Sequence, residues 1–371
     1  MEKSLVKKRY YNIDLLKIVS IIMVLCLHYV GKGKLLAEAP VNSVTYFAAW
    51  IIEYLCLGAV NCFALCTGYL SANSKFRPEK LIALWFQVFF FHVLGAVIAY
   101  GKGLLTIDKA VLLKILFPIF TDQYWYVTAY FIFYLVSPLL VFIVQNVSLR
   151  KLKIIAFFSA LIFGLNIFQW TVIRNGYHFV WFIALFFIAA YVKKANAFNR
   201  KSYVYFLLYI AFALLTFAFR YTLDAYGLKY FEVFNGQAYN FPTTFISSFM
   251  LFLAFKNINI KERRISKALS FLSKHTLGIY ILHLNVFVLE YYYLHIVRPT
   301  AYMGSPLILA NFAIYLVGTF LICLLLDVAR EYLFKIFRID KLSVFIALKL
   351  KTFFKSIIDY SPKKIDKTLD K

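Results

Sequence analysis

Charge is scarce in this chain, and acidic charge is scarcest. Asp, Glu, Lys and Arg together make up 16% of 371 residues, and only 17 residues are acidic. A chain so poor in charge and rich in apolar side chains is not a disordered, solvated polymer. With 8 prolines and 14 glycines it is not collagen-like either. The five cysteines, Cys26, Cys56, Cys62, Cys66 and Cys323, show no paired CxxC spacing and all fall inside apolar stretches. They read as small packing residues, with no metal site and no disulfide-stapled secreted domain. No internal repeat or low-complexity linker interrupts the chain. What fills it is apolar: 63% of residues, against roughly 45–50% in an average soluble domain, with a mean hydropathy of +0.75. A soluble fold of this length could not bury that much apolar side chain and still cover itself with polar groups. The fold class is therefore all-α: a polytopic integral membrane protein.

The net charge of +24 would suggest a nucleic-acid partner if it formed one patch. Instead the basic residues sit in short runs between apolar stretches, the pattern of loops at a membrane surface, so no nucleic acid is expected. A helix needs about 20 apolar residues to cross the hydrocarbon core. Ten stretches qualify, at roughly 12–31, 44–70, 81–100, 124–147, 152–173, 177–192, 203–219, 243–255, 273–293 and 307–328. The eighth is short and takes Pro242 into its first turn. The first has no small-residue cleavage site after it and reads as a retained anchor. With the N-terminus inside, 31 of the 41 Lys and Arg fall in inside segments and nine outside, Lys17 alone lying within a span. That bias predicts ten transmembrane helices with both termini cytoplasmic, in a multi-pass protein of the cell membrane. Residues 1–329 form the membrane domain. Residues 330–371 form a basic amphipathic tail, helical to about residue 358, on the anionic inner leaflet. Two outside segments, 101–123 and 220–242, are long enough to fold over a cavity. The second carries Tyr221, Asp224, Tyr226, Tyr230, Glu232, Asn235, Gln237, Tyr239 and Asn240, a set that suits sugar hydroxyls but reads first as an interfacial aromatic belt.

Ionisable groups inside spans cost about 2.5–3.5 kcal/mol each on insertion scales and normally face a protein interior or a water-filled path. Here they are Asp14, Lys17 and His28 in the first span, Glu53 in the second, His92 in the third and His283 in the ninth. Asp14 and Lys17, three apart, can pair on one helical face. His28 lies eleven residues beyond Lys17, about 16 Å along the axis and nearly on the same stripe. A cation low and an imidazole high on one stripe suit a long acyl carrier entering from the cytoplasm, its phosphates near Lys17 and its reactive end near His28. Glu53 either orients that imidazole or balances Lys17. His92, following three phenylalanines, reads as a packing residue.

The run Tyr11-Asn12-Ile13-Asp14-Leu15-Leu16-Lys17, continuing to Leu27-His28, resembles the first helix of the membrane acyltransferase-3 family, with its I-D-x-L-R/K start and R/K-x10-H spacing. Phe63-Ala64-Leu65-Cys66-Thr67-Gly68-Tyr69-Leu70 is similar to the family's F-x-x-S-G-F/Y-L. Arg77-Pro78-Glu79-Lys80 resembles its basic R-x-x-R, and Tyr124-Trp125-Tyr126 its W-F/Y pair. Ser273 to His283 is close to its S-L-G-I-Y-L-x-H. These matches cover about residues 12–290, in the family's order.

The resemblance implies a membrane O-acyltransferase. It would move an acyl group, most often acetyl, from cytoplasmic acetyl-CoA to a hydroxyl of an extracytoplasmic or lipid-linked glycan, a cell-surface polysaccharide. It implies His28 as general base or transient acyl carrier, assisted by Glu53, and Lys17, Arg77 and Lys80 as holders of the CoA phosphates. Trp125, His283, Tyr280 and Asn61 would line the substrate cavity, the last two as candidate oxyanion donors. No metal is implied. The partners implied are the glycan acceptor and membrane lipids. Heavy use of Lys, Ile, Phe, Tyr and Asn fits an AT-rich bacterial genome. The alternative is a transporter or flippase of polysaccharide precursors. Transporters often show two repeated halves and spans broken near the midplane; here there are no halves, and the prolines sit mainly near span ends or in loops.

Overall fold

The computed structural model describes residues 9–164, 174–228, 236–261 and 263–359, all helix, turn and loop with no strand among them. The first helix, α1 (Tyr11–Lys32), has Asp14 in its first turn and Lys32 in its last, the charge order that complements a helix dipole. A short α2 (Leu35–Glu38) leads to α3 (Val44–Cys56), capped by the Ser43 hydroxyl accepting from the Tyr46 amide at 3.0 Å. The chain breaks at Leu57–Gly58 and resumes as α4 (Ala59–Ser71). A side chain on Gly58 would meet the Ser248 Cβ at 2.8 Å, so the bare backbone is what lets the later helix bearing Ser248 close in.

There follow α5 (Glu79–Gly101), α6 (Lys109–Leu116), α7 (Trp125–Asn146), α8 (Leu149–Gly164), α9 (Phe179–Lys194), α10 (Ser202–Ala225) and α11 (Pro242–Lys256). Then come α12 (Arg263–His283), α13 (Leu289–Tyr291), α14 (Leu307–Ile336) and α15 (Ile339–Asp359), with a π-helical turn (Tyr292–Val297) and a 3-10 turn (Pro299–Tyr302) between α13 and α14.

Six of these are long and apolar enough to cross a membrane: α1, α3 with α4, α5, α7, α10 and α14. α11 is a shorter apolar helix. The expected fifth span is helical as α8, and its remainder, 165–173, lies outside the described residues, as do Lys229, Tyr230, Glu232 and Asn235 of the second outer loop. The expected ninth span, 273–293, is not one helix. α12 starts earlier, among charged residues, and stops at His283, because the Asn285 side chain turns back to accept from the Phe287 amide (3.2 Å) while donating to the Phe91 carbonyl (2.9 Å). α14 runs unbroken through the expected boundary at 329; the turn comes at Phe337–Arg338, with Arg338 at φ 53°.

α1 is the centre of the bundle, packing on α3, α4, α11, α12 and α14, while α4 and α8 pack on α9 and α10 packs on α11. Contacts sort the helix ends into two groups. At one end Asn12 donates to the Lys256 carbonyl (2.8 Å), Arg9 to the Ser270 carbonyl (3.1 Å), Ser202 to the Ala254 carbonyl (2.7 Å) and Lys194 to the Val147 carbonyl (2.9 Å). At the other end the Tyr239 amide donates to the Asn175 carbonyl (2.9 Å), Tyr221 to Asn42 (2.9 Å), and Gly33 lies against Pro299. The five cysteines are free, four of them buried.

Candidate active site

Lys17 and His28 stand on α1, which packs on α3, α4, α11, α12 and α14. The pairing expected between Asp14 and Lys17 is only a loose contact: Arg9 takes the Asp14 carboxylate at 2.7 Å, and the Lys17 ammonium stays 4.0 Å away. Lys17 turns instead into a cavity of about 220 Å³, lined also by Val24, Thr67, Tyr126, Tyr130 and Tyr280. A wider cleft of about 460 Å³ adjoins it, sharing Tyr130, Lys274 and Leu277. Lys80, Lys274, Arg330 and Lys335 line the wider cleft. Lys80 is therefore among the lining residues of a cleft that also holds the acidic Glu331 and Asp340. Arg77 is not. Its guanidinium pairs with neighbouring Glu79 at 2.7 Å, is 60% exposed and lies outside both cavities.

The inner cavity ends at Val24 and Tyr280, about one turn below His28 on α1 and His283 on α12. The two histidines meet: His28 Nδ1 lies 3.0 Å from His283 Nε2, with ring centroids 5.0 Å apart. His283 Nδ1 lies 2.7 Å from the Ile279 carbonyl one turn back, an acceptor that fixes the proton on that nitrogen. His283 Nε2 is then an acceptor, and His28 Nδ1–H donates to it. His28 Nε2 is left with a free lone pair. Orienting one imidazole through its second nitrogen is how a base is held in one tautomer.

Glu53 does not perform that task. It is buried on α3 and makes no hydrogen bond or ion pair with His28 or Lys17; His283 occupies the position Glu53 was expected to fill. Asn61 is also elsewhere. Fully buried, its amide donates to the Tyr239 carbonyl (2.7 Å) and Ser248 hydroxyl (3.0 Å) and accepts from the Trp181 indole (2.8 Å), so it holds the fold and offers no free donor to an oxyanion. Tyr280 lines the cavity, 6.0 Å from the His283 ring. Trp125 stacks on Tyr239 at 5.5 Å and touches Tyr177 at 4.5 Å. His92 is fully buried against the Tyr124 hydroxyl (3.2 Å) and the Phe287 ring, the packing role expected of it.

Sequence reasoning passed over a buried ionic cluster beside the wider cleft. His275 Nδ1 meets Asp327 at 2.6 Å, and Arg330 and Gln87 converge on the same fully buried carboxylate at 2.8–3.1 Å. Asp327 ends an otherwise apolar stretch, and that was the available signal.

Compared with known protein families, residues 10–328 match the acyltransferase domain of the acyltransferase-3 family. No curated protein and no solved structure matches the chain. The family match spans the helix that carries Lys17 and His28, the α12 segment that carries His283 and the cavity between them, and the chain belongs to the acyltransferase-3 family of membrane acyltransferases.

Proposed function

We propose that this membrane acyltransferase moves an acyl group, acetyl in the simplest case, from acyl-CoA to a hydroxyl of a cell-surface or lipid-linked glycan. The observation that carries the reading is the histidine pair. His28 Nε2, its lone pair fixed by the His28–His283–Ile279 chain of hydrogen bonds, takes the proton of the acceptor hydroxyl. The hydroxyl oxygen forms the new C–O bond at the thioester carbonyl, the C–S bond breaks, and the thiolate leaves with the proton that His28 held. The donor enters at the basic end. Lys80 at the wider cleft and Lys17 in the inner cavity supply charge-assisted hydrogen bonds to its phosphates, while Lys274 and Lys335 hold Glu331 and Arg330 holds Asp327, and the inner cavity takes the thioester arm toward His28.

We read the chain as crossing the cell membrane ten times with both ends cytoplasmic. The split of basic residues supports this, and so does the way helix ends sort into two groups. Asn175, between α8 and α9, sits at the same end as Tyr239, while Lys256, after α11, sits at the end where α1 begins. α8, α9, α11 and α12 then each cross, although none of them is among the six long apolar helices.

The test compares cells making the wild-type chain with cells making His28→Ala. O-acyl groups on surface glycan, read by NMR, should vanish while the amount of glycan is unchanged. Loss of the surface glycan itself would overturn the reading in favour of transport.

A further inference from the structure

The inner cavity has two ends, and the directions of its helices show what closes each. α1 and α12 begin at the basic end, where Arg9 donates to the Ser270 carbonyl. α4 and α7 finish there: the Tyr69 ring lies 5.6 Å from that of Tyr10, and Lys194 donates to the Val144 carbonyl at 2.8 Å. Lys17, Thr67, Tyr130, Ser273 and Lys274 therefore ring the mouth, and Val24, Val60, Phe63, Tyr126 and Tyr280 form the far end. That end is tightly closed. Val24, Val60, Tyr126 and Tyr280 are all buried, and the Tyr126 ring lies 5.5 Å from that of Tyr280 and 6.1 Å from that of Phe63. Neither His28 nor His283 lines the cavity.

The chemistry of the donor decides which of its atoms meet that layer. In an acyl thioester the acyl group is the tip of the arm, furthest from the phosphates, so an arm entering past Lys17 leads with its acyl group. His28 is four residues beyond Val24, about 6 Å along the helix axis. One acceptor hydroxyl bridges that span, with its oxygen about 3 Å from the carbonyl carbon it attacks and about 2.8 Å from the nitrogen that takes its proton. A carbonyl that reaches the level of Val24 is thus one hydroxyl away from the base, and a carbonyl held lower is out of reach.

We propose that Val24 and Val60 set the length of the acyl group and make the enzyme selective for acetyl. A two-carbon group fits against their methyls with its carbonyl at the required level. Each further methylene lies between the carbonyl and the closed end, and so holds the carbonyl back from His28. Valine suits this task because a β-branched side chain keeps one rotamer in a helix, so its methyls do not swing aside. The interior around it is close-packed, and an extra methylene is accommodated only by displacing neighbours. The proposal rests on the acyl-CoA reading above.

The experiment uses the full chain in nanodiscs with acetyl-, propionyl- and butyryl-CoA as donors and surface polysaccharide of the producing cells, stripped of esters by alkali, as acceptor. In the wild type kcat/KM should fall at least tenfold for each added methylene, the discrimination an apolar pocket supplies. Val24→Ala and Val60→Ala should each raise the butyryl-to-acetyl ratio at least tenfold. That ratio is taken within one preparation and does not depend on how much of it is folded. Val88→Ala, a fully buried valine of α5 outside both cavities, should leave it at the wild-type value. No preference in the wild type, an unchanged ratio in either cavity variant, or an equal rise in Val88→Ala would overturn the proposal. A wild-type chain that acylates no polysaccharide defeats the underlying reading separately. Calorimetric binding then decides the acyl site: acetyl-CoA should bind at least tenfold more tightly than butyryl-CoA, and the gap should close in Val24→Ala. Equal binding of the two by the wild type, or none, would overturn the proposal too.

Discussion

At the scale of single residues, two side chains divide the work that one helix displays. On the proposed reading His28 is the base, and His283 is a positioning residue that fixes which nitrogen of His28 carries the lone pair. A general base contributes roughly 10²–10⁴-fold, so His28→Ala should abolish transfer. His283→Ala should lower kcat by about 10²-fold and leave KM for acetyl-CoA unchanged. His283→Gln keeps an acceptor opposite His28 Nδ1 and should recover part of the loss, a rescue that a merely space-filling histidine would not show. Steady-state kinetics in nanodiscs separate these outcomes. Lys17 makes the opposite prediction. Its ammonium is free to face the cavity because Arg9 holds Asp14, and a hydrogen bond to a charged group contributes about 1.5–3 kcal/mol. Lys17→Ala should therefore raise KM for acetyl-CoA by roughly 10–100-fold with little change in kcat.

Much of this was legible in the sequence, and the reason is physical. The hydrocarbon penalises a charge so heavily that Lys17, His28 and His283 stood out against their apolar spans, and helical spacing placed the first two on one stripe. What stayed hidden were the partners. That His283 and not Glu53 sits against His28 depends on α12 packing on α1, a contact between residues 255 positions apart. Asn61 looked like a free donor because a sequence does not show that Trp181, Tyr239 and Ser248 use up its amide. Arg77 looked like a phosphate ligand because its pairing with Glu79, two residues on, is invisible to a motif.

At the scale of elements, the joint between α12 and α14 is held by charge. Asp327 accepts from His275, Arg330 and Gln87, three elements meeting at one carboxylate that water does not reach. Removing one partner from a buried ion pair costs about 3–5 kcal/mol, because the charge left behind, here that of Arg330, is unpaired. Asp327→Ala should accordingly lower the melting temperature in detergent far more than Glu79→Ala does, since the Arg77–Glu79 pair is largely exposed and such pairs contribute about 0–1 kcal/mol. A thermal-shift series on the two variants reads the difference directly. Equal shifts would mean that apolar packing alone holds α12 to α14. Gln87 and Arg330 also line the wider cleft, so the same variant should widen the donor entrance as well as loosen the bundle.

At the scale of the whole molecule the decisive quantity is the number of crossings, because it decides which loops see which side. With the N-terminus inside, a ten-crossing chain puts Tyr177, between α8 and α9, outside, and Lys261, between α11 and α12, inside. If only the six long helices crossed, both would change sides: α8 and α9 would stay within and α11 and α12 without. The hydrogen bond from the Tyr239 amide to the Asn175 carbonyl argues for ten, since it joins the α8–α9 turn to the loop that follows α10. So does the bond from Asn12 to the Lys256 carbonyl, which brings the end of α11 back to the start of α1. The native cysteines are mostly buried and leave a low labelling background. A membrane-impermeant maleimide added to intact cells should label Tyr177→Cys and should reach Lys261→Cys only after the cells are opened. The reverse pattern at both positions would put Tyr177 on the cytoplasmic side and leave the six long helices as the only crossings.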